Sequence, residues 1–169
     1  ARGDGSAGVY LGEHGKGGAE LAVRPDGSRS LNLFDQGGRQ RAGVTINADG
    51  RPTITLTDAN GRDRLRALVT TDGNPVLRLL EKDGRDRASI TTENGGVRLR
   101  LLDDKGKERA GLGVSDAGWP TLQLADAEGK SRAALAVAGD GPVLRLSDKE
   151  GKAMAAAAVS AEGAPSLTL

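Results

Sequence analysis

The chain has no cysteine, a single histidine (His14) and three aromatic residues: Tyr10, Phe34 and Trp119. Without thiols there are no disulfides and no thiolate metal site. One histidine leaves nucleophilic catalysis little to work with, and His14 reads as an exposed turn residue rather than a general base. So few aromatics supply no stacking platform for nucleic acid. The balance of 24 basic against 23 acidic residues gives no basic footprint either. No run of about 18 apolar residues occurs, so no membrane-spanning helix is expected. Leu, Ile, Val and Phe make up 35 of the 169 residues. That is close to the level of roughly 20% below which chains stay disordered, so composition does not decide and periodicity must. The sequence starts at Ala1 rather than Met. The expectation is an extracellular or cell-surface protein whose leader has been removed.

What the chain has in abundance is glycine, at 26 residues, and the glycines are periodic. Gly15, Gly38, Gly61, Gly84, Gly106, Gly129 and Gly151 follow one another at 22 or 23 residues. The shared pattern is G-K/R-x-R-A-x-L-x-V-x-x-D-G-x-P-x-L-x-L-x-D, well shown by the segment from Gly106 to Glu128. Residues 5–14 resemble the back half of an earlier copy. The expected organisation is therefore one array over residues 1–169, with a partial repeat at 5–14 and repeats starting at 15, 38, 61, 84, 106, 129 and 151.

Each repeat holds two alternating segments, such as Ala110-x-Leu112-x-Val114 and Leu122-x-Leu124. A period of two means a strand with one apolar and one polar face. Turn residues every 11 or 12 positions leave no room for ordinary helices. Ala155 to Ala158 favours helix locally, yet its alternate positions still fit a strand. In most repeats the first strand meets the second through x-Asp-Gly, as in Thr71-Asp72-Gly73. That suits a three-residue hairpin loop, which places Val69 opposite Pro75 and Ala67 opposite Leu77. Two shorter repeats carry Asn94-Gly95 or Gly139-Asp140, both suited to two-residue turns. These place Ile90 opposite Leu99 and Leu135 opposite Leu144, so the apolar face is kept.

The other connection, D-x-x-G-K/R, is less regular. A two-residue turn at Asn60-Gly61 or Lys105-Gly106 sets Asp58 against Asp63 and Asp103 against Glu108, and like charges directly opposite are unfavourable. A wider loop is one answer. The expected fold class is all-β: tandem 23-residue two-strand repeats in an antiparallel meander that packs its apolar face on other copies, as a trimeric prism or fibre. The alternative is a two-sheet β-solenoid, in which the acids Asp35, Asp58, Glu81, Asp103, Asp126 and Asp148 stack in one column and Arg41, Arg64, Arg87, Arg109 and Arg132 in another.

Fifteen strands at about 4.8 Å form a ribbon with one apolar face of the order of 1,400 Å². Soluble monomers rarely expose more than about 300–600 Å² in one patch. The sequence thus points to self-association, with a homotrimer favoured and a dimer or end-to-end filament as the other forms. A solenoid would face its two strands across a private core and remain monomeric.

Stretches such as Glu81-Lys82-Asp83-Gly84-Arg85-Asp86-Arg87-Ala88 and Lys107-Glu108-Arg109-Ala110-Gly111-Leu112-Gly113-Val114 resemble the repeats of uncharacterised bacterial β-repeat arrays. The resemblance covers residues 15–169. It implies an array architecture and no activity. More loosely, the short punctuated strands are similar to fibre shafts.

Other motifs dissolve into the repeat. Gly3-x-Gly5-x-x-Gly8 spells a dinucleotide fingerprint with no strand before it and no helix after it. Gly129-Lys130-Ser131 ends like a P-loop, but Leu124 stands where the upstream glycine is required. Asp103-Asp104 lies in an acidic turn with too few oxygens for a calcium loop. Arg2-Gly3-Asp4 is the integrin tripeptide, in a chain rich in all three residues. Thr53, Thr55 and Thr57 share a face, but the next repeat does not continue the row. Trp119 stands beside a turn, where a loop-packing role is expected. No catalytic, cofactor-binding or metal-ligating residue is assigned, and no cofactor is called for. The expected function is a non-enzymatic structural shaft, stalk or filament subunit at a bacterial or viral surface. The alternative is a monomeric solenoid binding glycan, ice or a partner protein.

Overall fold

The computed structural model describes residues 5–13, 15–93 and 95–169. These fall into two compact units, residues 1–86 and 87–169. The first unit carries β1 (Ala7–Gly12), β2 (Gly18–Val23), β3 (Arg29–Phe34), β4 (Gln40–Ile46), β5 (Pro52–Thr57), β6 (Asp63–Val69) and β7 (Pro75–Leu80). The second carries β8 (Asp86–Glu93), β9 (Gly96–Leu102), β10 (Glu108–Val114), β11 (Pro120–Ala125), β12 (Ser131–Ala138), β13 (Gly141–Ser147), β14 (Ala153–Val159) and β15 (Pro165–Thr168). No helix occurs among the described residues. The alanine run from Ala155 to Ala158 is strand, because its alternate positions complete the apolar rows of β13.

Within each unit, strands pair antiparallel with their chain neighbours. This is the meander expected from the sequence, and the two-sheet coil is not formed. The registers follow the hydrophobic pattern. Val69 faces Pro75 and Ala67 faces Leu77. Ile90 faces Leu99, and Leu135 faces Leu144 across the shorter turns. The x-Asp-Gly loop has the expected geometry. Thr70 N–H donates to Asn74 O and Gly73 N–H to Thr70 O, with Gly73 at φ 81°. Only a residue tolerant of the left-handed region closes such a turn.

The second connection departs from a two-residue turn. Asp58 N–H donates to Arg62 O at 2.9 Å, so Ala59-Asn60-Gly61 is again a three-residue loop. Thr57 then faces Asp63, Leu56 faces Leu65, and Arg64 is left over as a β-bulge. The bulge restores the parity that the longer loop would break. It also sets Asp58 against Arg62 rather than against Asp63, which removes the like-charge conflict. The same loop and bulge recur at Arg41, Arg109, Arg132 and Met154.

Neither unit encloses a core. Among the described residues no large side chain is fully buried. Apart from Ser28 in the turn before β3, the most buried ones, Ala22, Ser30, Asn32, Val76 and Ser89, lie on the polar face of their strands. There, small residues sit beneath long neighbours. A Cβ on Gly111 would meet the Glu108 carboxylate, and one on Gly43 would meet Gln40 Nε2 at 2.5 Å. The apolar face has no such cover.

Candidate functional site: the uncovered apolar face

Three parallel rows make up the apolar face. In the second unit the central row is Ile90, Leu99, Leu112, Leu122, Leu135, Leu144, Ala157 and Leu167, each residue directly opposite the next. One outer row alternates Ala88, Leu101, Ala110, Leu124, Ala133, Leu146 and Ala155. The other outer row includes Val114 opposite Pro120 and Val137 opposite Pro142. The first unit repeats this with Leu21, Leu31, Val44, Ile54, Ala67 and Leu77 as its central row. Leu101, Leu124 and Leu146 are each 47% exposed, and Leu112 is 52% exposed. Residues of this type normally fill a core. Here they form contiguous, solvent-facing rows on both units.

The opposite face and the turns carry the charge, and the turn acids and the arginines that follow them are engaged locally. The first acid of each D-x-x-G turn organises its loop. Asp35 Oδ1 accepts from Gly37 N–H at 2.9 Å and from Arg39 N–H at 3.1 Å, while its Oδ2 meets Arg41 at 3.3 Å. Asp103 and Asp126 do the same with Arg109 at 3.6 Å and Arg132 at 3.4 Å. The bulge arginines also donate to backbone carbonyls on the following strand: Arg41 to Thr57 O, Arg109 to Ala125 O and Arg132 to Ser147 O. The basic residue after the turn glycine reaches the next such turn, as Arg39 to Ala59 O and Arg62 to Lys82 O. These bonds hold the Asp35 carboxyl below the usual carboxylate range, chiefly through the Arg39 N–H. Asp58 is held down by the Arg62 N–H and Asp103 by the Lys107 N–H. At Asp126 burial pushes upward, and the Lys130 and Glu128 N–H groups outweigh it.

A second set of acids, at the position before the bulge, lies across the polar face. Asp63 pairs with Arg66, and Glu108 bonds both Arg98 and Arg100, the latter at 2.8 Å. Burial pushes Glu108 upward, but the two guanidiniums outweigh it and hold the carboxyl low. A shallow depression of about 600 Å³ lies beside this cluster, lined also by Thr91, Gly113 and Thr121. Arg98, Arg100 and Glu108 in its lining are engaged with one another, and the acids Glu93 and Asp116 border it as well.

The motifs weighed from sequence resolve simply. Gly129 closes an ordinary repeat turn at φ 84°, with Lys130 N–H bonded to Asp126. Asp103 spends its oxygens on Lys105, Lys107 and Arg109, and no group of three metal-ligating residues occurs among the described residues. Thr57 donates its hydroxyl to Gln40 O. The Trp119 ring lies against Gly139, whose added Cβ would stand 3.5 Å from it, which is the loop-packing role expected. Arg2, Gly3, Asp4, His14 and Asn94 lie outside the described residues. Sequence reasoning missed the bulge that brings Arg41, Arg109 and Arg132 to the turn acid six residues before each. The signal was present: a three-residue loop followed by an apolar strand of the wrong parity demands a bulge.

No family model and no curated protein matches the chain. Among solved structures it is similar to the TCP domain of SAS-4 (dCPAP) from Drosophila melanogaster, solved in complex with a proline-rich motif of Ana2 (dSTIL). The match has a TM-score of 0.53 and 12% identity, and covers 96% of this chain and 89% of that one. The likeness is one of fold. No helix of the described residues is long and apolar enough to cross a membrane.

Proposed function

We propose that the chain is a non-enzymatic structural element, a β-repeat shaft, stalk or filament subunit at a bacterial or viral surface, built by copies that cover one another's apolar face. One observation carries this reading: continuous rows of half-exposed Leu and Val run along each unit, and none of the described residues covers them. Burying apolar surface stabilises by about 25 cal/mol per Å². The repeats supply length and the rows supply adhesion, while paired charges keep the turns and the polar face soluble. The sequence favours three copies around an axis. The missing cysteines suit an exposed location.

The experiment is mass in solution by light scattering behind a sizing column. A defined oligomer that falls to the 17.3 kDa chain mass in Leu112→Glu/Leu135→Glu supports the reading. A wild-type chain that stays monomeric at every concentration overturns it. A second reading, a protein-binding module, draws on the likeness to a domain solved with a bound proline-rich motif. A monomer that captures a partner through the same Leu rows would favour it.

A further inference from the structure

We infer that two copies of this chain pack face to face, with the outer-row Leu side chains of one seated over the outer-row Ala positions of the other. This rests on the self-association proposed above and sets two copies in place of the three that the sequence favours. In the second unit, Leu101, Leu124 and Leu146 stand on every second strand, with Ala110 and Ala133 between them. Each Leu is 47% exposed, while the alanines are half-buried between their taller neighbours. The row is therefore a series of ridges and troughs with a spacing of two strands, roughly 9.6 Å. The first unit carries the alternation at Leu33, Ala42 and Leu56 and loses it beyond, where Leu56 faces Leu65 and Leu65 faces Leu79, so the fit is argued for the second unit.

A flat cover would touch the ridges and leave the troughs empty, and gaps of that size forfeit dispersion contacts. A fitting partner must carry apolar ridges at the same spacing. A second copy does so by construction, displaced by one strand so that its Leu ridges enter the Ala troughs. Two sheets packed in this way sit about 10 Å apart with interleaved side chains. The area suffices. Eight strands at about 4.8 Å and three residue rows give the second unit a face of the order of 750 Å². A standard stable interface takes about 800 Å² from each partner.

The test turns on a sign. In Ala110→Leu/Ala133→Leu the troughs are filled, which adds apolar area to the face. If the face is merely covered, the added area tightens association. If ridges enter troughs, it blocks them. We expect a wild-type mass of twice the chain, and a dissociation constant at least tenfold weaker for the filled variant by sedimentation. Mixing the filled variant with the ridge-shaved Leu101→Ala/Leu124→Ala/Leu146→Ala variant should restore a dimer of one copy of each, since an unbroken Leu stretch and an unbroken Ala stretch fit one another. Far-UV circular dichroism checks folding, and the single Ala133→Leu variant, expected to weaken association about threefold or more, replaces a double variant that fails to fold. A trimer, an open-ended ladder, or a dimer that tightens or shifts less than these thresholds overturns the face-to-face fit and leaves self-association standing. A monomer at every concentration overturns both.

Discussion

Arg41 meets Asp35 at 3.3 Å because a bulge, and not the turn itself, separates them. The turn acid uses one oxygen for two backbone N–H groups, which leaves the other facing back along the chain. The extra residue in the next strand swings outward and supplies a guanidinium at that point. Arg41 also reaches Thr57 O on the following strand at 3.2 Å. One residue thus ties a turn, its own strand and the next strand together. The same device recurs at Asp103 and Arg109 and at Asp126 and Arg132.

Replacing one of these arginines removes a backbone bond and an ion pair, both partly exposed. Net values are about 0.5–1.5 kcal/mol for the hydrogen bond and up to about 1 kcal/mol for the pair. Arg132→Ala should lower stability by about 1 kcal/mol and Tm by roughly 2–4 °C. Lysine has no planar fork with which to serve both partners, so Arg132→Lys should recover less than half of the loss. Thermal unfolding at matched protein concentration checks both variants.

The turn glycines should respond according to backbone angle and not to space. Gly84 lies at φ 85° with nothing within 4 Å of an added Cβ. Any cost of Gly84→Ala is therefore backbone strain, about 1–2 kcal/mol. Gly84→Asn should cost less, since asparagine visits the left-handed region more readily. Gly84→Val should be the worst of the three. Urea unfolding midpoints should rank Gly, Asn, Ala, Val. A ranking that follows side-chain size alone would refute the strain argument.

The turn acids predict how stability depends on pH. Asp35, Asp58, Asp103 and Asp126 all titrate below the ordinary carboxylate value in the folded chain. A group whose folded pKa is depressed binds its proton more weakly when folded, so acid favours unfolding. The stabilisation is fully present above the unfolded value of about 3.9 and is lost as pH falls through the folded values. Tm should be nearly flat from pH 8 to pH 5 and drop below about pH 4. Moderate salt should change this little, because the leading contribution at Asp35, Asp58 and Asp103 is a backbone hydrogen bond rather than a long-range charge. A midpoint of acid unfolding near pH 6 would contradict the assignment.

Much of the fold was legible because two periods coincide in the sequence. The 23-residue repeat fixes the turns, and the alternation within it fixes which residues share a face. The pairing of Ala67 with Leu77 and of Leu135 with Leu144 follows from those two facts alone. What was not legible is how the second turn spends its residues. A two-residue turn and a three-residue loop with a bulge give the same pairing from Leu56 and Leu65 onward. Hydrophobic patterning cannot distinguish them. Only local charge can, through the conflict of Asp58 with Asp63. The apolar face itself was legible, since the alternation puts Leu112, Leu122 and Leu135 in one row.

That equivalence makes a deletion informative. Removing Arg64 should leave Thr57 opposite Asp63 and Leu56 opposite Leu65, now without a bulge. The apolar rows keep their faces, and the losses are the bulge arginine's side-chain bonds and the extra local twist. The shortened chain should fold, with stability lower by about 1–3 kcal/mol. Removing Ala67 instead, three residues further on, shifts the register within the strand. Either Leu68 and Val69 or Leu65 and Arg66 must then exchange faces. Part of β6 should lose its pairing, and amide exchange across β5–β7 should rise by orders of magnitude. Hydrogen exchange read at Thr55, Leu65 and Leu77 separates the two deletions. Similar damage from both would mean that Arg64 is an ordinary strand residue and that the bulge is not what sets the register.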